Sequence, residues 1–134
     1  MTTKPETKFW KKIKSNSSKI IWTRIEAITP LGLPDLNGFF NDPEKGRGDL
    51  WVELKIIHDN RIRISKHQIS WHFHRNKMGG KSFIMATPLP RGAISVYSGG
   101  RVKDLVTQGL DLEPCALFPE PIDWLGLETW FINA

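Results

Sequence analysis

The sequence predicts a mixed α/β sheet domain, and three observations predict it. Apolar residues recur at helical spacing in some windows and at strand spacing in others. The window Leu50 to Ile57 (LWVELKII) is apolar along one face and at both ends of the other, the pattern of a central strand covered on both sides. The elements run helix, three strands, helix, strand and more, an order that suits a sheet flanked by helices.

Each element has its own local signal. After a polar lead-in, Phe9, Trp10 and Ile13 share one side of a short amphipathic helix over Glu6 to Ile13, which Ser15-Asn16-Ser17-Ser18 breaks. Lys19 to Ile28 is β-branched and aromatic and reads as a strand; Thr29 to Pro34 carries Pro30, Gly32 and Pro34 and reads as a turn. Asp35 to Phe40 reads as a second strand, and Asn41 to Asp49 as the polar loop of a hairpin leading into LWVELKII. Ser65 to Met78 reads as a helix. Ser65 suits its N-cap, Gln68 completes a capping box, and Gly79-Gly80 stops it. Ser82 to Thr87 and Ala93 to Tyr97 are further short strands, and Arg101 to Gln108 a last short helix. The remaining segment, with Pro114, Pro119 and Pro121, is expected to wrap the body as irregular structure.

At 134 residues the chain has the size of one domain, large enough for a core without staples. Residues 1–110 form the expected core, and residues 111–134 an acidic Pro/Trp-containing extension packed on it. No apolar run is long enough to span a bilayer, and the opening MTTKPETKFWKKIK lacks the apolar stretch of a secretory signal. The single cysteine, Cys115, excludes an internal disulfide and a cysteine-based zinc site. A cytoplasmic protein is expected. Residues 1–100 hold 17 basic and 8 acidic residues, a balance of +9, whereas residues 101–134 hold 2 and 6, a balance of −4. A basic body suits a polyanionic partner, and a solubilising surface explains it equally well.

The chemistry concentrates on the central strand. Glu53 and Lys55, two residues apart, leave the same face, and two charges in a covered strand demand a reason. Asp35, at the start of the preceding strand, reaches that face if the two strands pair as a hairpin. Two carboxylates converging beside a lysine make sense around a hard divalent cation such as Mg²⁺, which takes oxygen ligands and keeps several waters. Such a cation polarises a phosphate and acidifies an attacking water, while Lys55 positions that water or stabilises developing charge.

Gly32-Leu33-Pro34-Asp35 followed by Glu53-Leu54-Lys55 resembles the PD-(D/E)XK nuclease signature. Ser65-Lys66-His67-Gln68 opening a helix, Trp71, and Gly79-Gly80 before SFIMAT are similar to the segment after the core strand in that family. The nearest likeness is to small stand-alone VRR-NUC modules and to phage-encoded, Holliday-junction-resolvase-like relatives. It spans residues 6 to 87. The resemblance implies a restriction-endonuclease-like fold and Mg²⁺-dependent hydrolysis of DNA, with Mn²⁺ as a possible substitute. It makes Asp35, Glu53 and the Leu54 main-chain carbonyl metal ligands, Lys55 the catalytic lysine, and Gln68 an active-site residue. It further implies an additional acid, for which Glu6 on the first helix and Glu26 on the first strand compete. A bacterial or phage-infected cell is the implied setting.

Arg61, Arg63 and Lys66 are the expected DNA-phosphate contacts, with Arg75, Lys77, Lys81 and the Lys8–Lys14 patch equally readable as solvated surface. His72 and His74, two apart on one helix, are expected at the surface or facing phosphate rather than in a zinc site. Trp22, Trp51 and Trp71 are expected in the core, and Trp124 and Trp130 as anchors of the tail. The chain has little room for a module that reads bases, so branched or junction DNA is the expected substrate, cut by a homodimer. A monomeric nicking or end-processing nuclease and an inactive DNA-binding module of the same fold are the alternatives.

Overall fold

The structure, a computed structural model, describes residues 4–25, 32–88 and 91–134. In chain order its elements are α1 (Pro5–Asn16), β1 (Ile21–Arg24), β2 (Leu36–Asp42), β3 (Gly46–Ile56), α2 (Lys66–Lys77), β4 (Ser82–Thr87) and β5 (Ile94–Ser98). A 3₁₀ turn (Gly99–Arg101) leads into α3 (Val102–Gln108), and β6 (Ala116–Phe118) and α4 (Trp124–Asn133) complete the chain. The six strands form one sheet in sequence order, β1 to β6. Only β3 and β4 are parallel, and α2 is the helix in the crossover between them. The mixed α/β sheet flanked by helices that the sequence predicts is thus the architecture observed.

Alternation along β3 assigns its two faces. Val52, Leu54 and Ile56 are buried in a core with Phe83 and Met85 of β4, Phe9 and Ile13 of α1, and Leu127, Phe131 and Ile132 of α4. On the opposite face, Ile84, Ala86 and Tyr97 pack with Val102 and Leu105 of α3, Ile62 and Leu112. Trp51, Glu53 and Lys55 belong to that second face, which α2 also covers. β3 lies third of six strands, with helices on both sides, as its apolar pattern requires.

Several expectations need correction. The segment 41–49 is mostly strand: β2 runs to Asp42 and β3 restarts at Gly46, with Asn41 opposite Arg47. The Asp42 carboxylate accepts from the Glu44 and Lys45 N–H groups and closes the turn at once, so the polar residues become a long paired ribbon instead of a loop. The C-terminal segment is regular too. It adds β6 to the sheet edge and α4 to the core, because apolar Leu127, Phe131 and Ile132 recur at helical spacing behind the prolines. β1 runs from Ile21 to Arg24, and residues 26–28 of the expected strand, with the first half of the adjoining turn, lie outside the described residues. Trp124 and Trp130 do anchor α4 against the core. Trp22 is only partly buried against it, while Trp51 and Trp71 pack edge to face, centroids 5.7 Å apart. The Arg75 guanidinium lies 5.7 and 5.2 Å from those two rings. Among the described residues no helix is long and apolar enough to cross a membrane.

Candidate active site

The site begins where β2 ends. Leu36 pairs with Val52, the last residue of β3 that faces a strand partner on that side. The N–H groups of Trp51 and Ile57 bond to carbonyls on the β4 side, so the intervening even-numbered residues present N–H and C=O toward β2. Leu54 therefore faces a gap. Asp35 fills it with a side chain: its Oδ2 accepts from the Leu54 N–H at 2.7 Å. By the same alternation the Leu54 carbonyl leaves the strand on that side. Asp35 is in turn held by its loop, in which Gly32, at φ +75°, backs onto the start of α2; a β-carbon there would strike the His67 carbonyl.

From the second face of β3, Glu53 and Lys55 meet α2. The capping box read from the sequence is present: Gln68 N–H donates to Ser65 Oγ at 3.2 Å, and Ser65 N–H to Gln68 Oε1 at 3.0 Å. That cap presents the Gln68 amide to both charged residues of β3. Lys55 Nζ donates to Gln68 Oε1 at 3.0 Å, and Gln68 Nε2 donates to Glu53 Oε2 at 3.1 Å. Asp35, Glu53, Lys55 and Gln68 are thus one connected group, with Leu54 at its edge.

Electrostatics marks the same group. Burial, with the neighbouring Glu53 carboxyl adding to it, pushes Asp35 up to about 8, against the lowering effect of the Leu54 N–H and Lys55. Burial also raises Glu53, which is 2 % exposed. Two carboxylates this close, in so little water, cannot both carry charge cheaply without a compensating cation. One oxygen, Glu53 Oε1, is buried with no hydrogen-bond partner. This donor set fits a hard divalent ion. Among the described residues no three His, Cys, Asp or Glu side chains converge to hold a metal by themselves. The pair would therefore share a cation with a main-chain carbonyl, water and substrate oxygens, as Mg²⁺ sites do.

The outlying predictions fare unequally. Glu6, in the first turn of α1, lines an open cleft of about 650 Å³ with Lys55, Ile56, His58 and Arg63. Partial burial raises its carboxyl, and the Asp35 charge raises it further, so the two acids sense each other. Glu26 lies outside the described residues. Arg63 shares the cleft with Lys55, whereas Arg61 lines it only at one remove, in a neighbouring hollow with His58, Asp59 and Val106. Lys66 is exposed at the start of α2 and lines neither hollow.

His72 overturns its expected surface position. It is fully buried, its Nε2 3.7 Å from Glu53 Oε1 and its Nδ1 2.8 Å from Ser82 Oγ. Burial holds the imidazole down at about 4, hence neutral at physiological pH. The overlooked signal was spacing: His72 lies four residues after Gln68, on the same helical face, so once Gln68 points inward His72 must do the same. Ser82 carried no such signal. Models of known protein families and curated proteins return no match to this chain.

Proposed function

We propose that this chain is a divalent-metal-dependent DNA endonuclease of the PD-(D/E)XK type, selective for branched or junction DNA and acting as a homodimer. The observation that carries the reading is the pair of half-buried Asp35 and buried Glu53, both carboxyls pushed toward neutrality, with Glu53 tied through Gln68 to Lys55. Satisfying the Leu54 N–H and capping α2 would not by themselves require that the same two side chains gather a second carboxylate and a lysine around them. Asp35, Glu53 and the Leu54 carbonyl would hold Mg²⁺ or Mn²⁺. When bound, the cation supplies charge neutralisation and Lewis-acid activation of water and phosphate.

The chain's own residues do the rest. Gln68 restrains the Lys55 ammonium, leaving its other two N–H bonds for an incoming water or a phosphate oxygen on which charge develops. The same amide restrains Glu53 Oε2, so a shift of one residue is felt by the other. Arg63 stands in the cleft beside Lys55, with Arg61 and Lys66 further out, where the DNA backbone would be gripped. Glu6 is the candidate for the additional acid, since it lines that cleft and is coupled to Asp35.

The test is cleavage of plasmid, linear duplex and four-way junction DNA with Mg²⁺ or EDTA, beside Lys55→Ala. Metal-dependent cleavage reduced about 10³-fold in the variant is expected. Cleavage persisting in EDTA or undiminished in Lys55→Ala overturns the mechanism. Binding without cleavage points to an inactive module, and a monomer by gel filtration removes the dimer.

A further inference from the structure

Behind Glu53 lies a hydrogen-bonded chain whose direction can be read from its chemistry. Asn76 Nδ2 donates to the His72 main-chain carbonyl at 2.9 Å, which identifies that atom as the amide nitrogen, because a carbonyl only accepts. The same nitrogen lies 2.6 Å from Ser82 Oγ, so Ser82 accepts from it. Ser82 Oγ has a second lone pair, but an imidazole that donated to it from Nδ1 would turn a bare Nε2 lone pair toward Glu53 Oε1, so the Ser82 hydroxyl donates to His72 Nδ1 at 2.8 Å. An imidazole that accepts at Nδ1 carries its proton on Nε2. That N–H faces Glu53 Oε1 at 3.7 Å, and both atoms are buried without another partner. The 3₁₀ turn after β5 seals the chain: a β-carbon on Gly99 would collide with Ser82 Oγ and stand 2.6 Å from Asn76 Nδ2 and 2.9 Å from His72 Nδ1. A buried serine and histidine, with a half-buried asparagine behind them, are costly in a core unless something requires them.

We propose that His72 is a positioning residue for Glu53: the relay Asn76–Ser82–His72 presents the Nε2 proton to the inner carboxylate oxygen Oε1, while Gln68 restrains the outer oxygen Oε2. The two contacts together fix the carboxylate plane from opposite ends. A modest movement of Glu53 toward His72, on taking a metal ion, closes the 3.7 Å approach to hydrogen-bond length. The inference rests on the reading of Glu53 as a metal ligand, and it assigns the supporting partner that such ligands need.

The test uses the full chain and Mn²⁺ alone as probe, with calorimetric affinity and thermal unfolding measured for wild type, His72→Leu, His72→Gln and Ser82→Ala. His72→Leu weakens Mn²⁺ binding about 10- to 100-fold. It removes the unpartnered Nε2 but also the acceptor of the buried Ser82 hydroxyl, so the metal-free protein is expected to melt a few degrees lower while keeping a single cooperative transition, a loss that Ser82→Ala does not share. His72→Gln places an amide nitrogen near the former Nε2 and recovers most of the affinity. Ser82→Ala, which releases the imidazole tautomer, gives an intermediate loss. ¹⁵N NMR of the metal-free wild type shows a protonated Nε2 and an unprotonated Nδ1 on His72. A proton on Nδ1 overturns the relay whatever the metal does. Equal Mn²⁺ affinity in wild type and His72→Leu overturns the positioning role alone, whereas a wild type that binds no Mn²⁺ overturns the metal reading and the positioning role with it.

Discussion

Replacing Asp35 by Asn isolates the cost of keeping a second carboxylate beside buried Glu53 in the metal-free protein. The Asp35 carboxyl moves from an ordinary 3.8 to about 8 on folding, chiefly through burial. A group whose folded value is raised gives its full stability below the unfolded value and loses it as pH rises through the folded one. His72 acts oppositely: held at about 4 from an ordinary 6.5, it is a group the unfolded chain protonates more readily, so its effect is an increase in stability between those values. Above 6.5 the His72 contribution is complete, so pH 6.5 to 8 is the window in which the difference between wild type and Asp35→Asn is read. One proton changes stability by about 1.4 kcal/mol per pH unit at full linkage. Across that window, with the folded carboxyl reaching half-ionisation at its upper end, the expected loss is about 1.5 kcal/mol. Asn keeps an oxygen for the Leu54 N–H but carries no charge, so urea unfolding of Asp35→Asn should flatten by that amount and leave the variant more stable than wild type at pH 8. Saturating Mg²⁺ should stabilise only the wild type. Calorimetry at pH 7 in buffers of different ionisation enthalpy should show close to one proton released per ion bound. A metal-free wild type whose stability is flat from pH 6.5 to 8, or exceeds that of Asp35→Asn at pH 8, would refute the reasoning.

Three other parts of the molecule carry expected outcomes of their own. Glu128 of α4 is 1 % exposed and accepts from the N–H groups of Ser18, Lys19 and Ile20; Glu128→Ala strands those donors and should cost about 3 kcal/mol in denaturant unfolding. Ser65→Ala removes the acceptor of the Gln68 N–H and should cost about 1 kcal/mol, with a several-fold loss of turnover as the Gln68 amide loosens between Lys55 and Glu53. Arg61, Arg63 and Lys66 changed together to Ala should weaken DNA binding and reduce the steepness of its logarithmic salt dependence by about 0.9 for each phosphate that is no longer neutralised, measured by fluorescence anisotropy.

Much of the fold was readable because its signals are local. The alternation in LWVELKII, the Ser65/Gln68 cap and the SFIMAT strand each arise from residues within a few positions of one another, and the structure places β3, α2 and β4 accordingly. The tail misled because its prolines outweighed the helical spacing of Leu127, Phe131 and Ile132, which gains meaning only when a core exists to bury it. The ribbon at residues 41–49 misled because strand pairing rests on backbone hydrogen bonds, which polar side chains do not forbid.

The sequence by itself determined that an acid and a lysine, Glu53 and Lys55, share one face of a covered strand, and made Asp35 their neighbour only on condition of a hairpin, since side-chain period in a strand is geometric and burial of charge is costly everywhere. Only the tertiary structure decided how they connect. That Asp35 replaces a missing strand partner at Leu54, that one glutamine touches both Glu53 and Lys55, and that His72 is buried behind Glu53 with Ser82 depend on where β2 stops and how α2 lies across β3 and β4. Those contacts join residues far apart in the chain, through packing that no local pattern encodes.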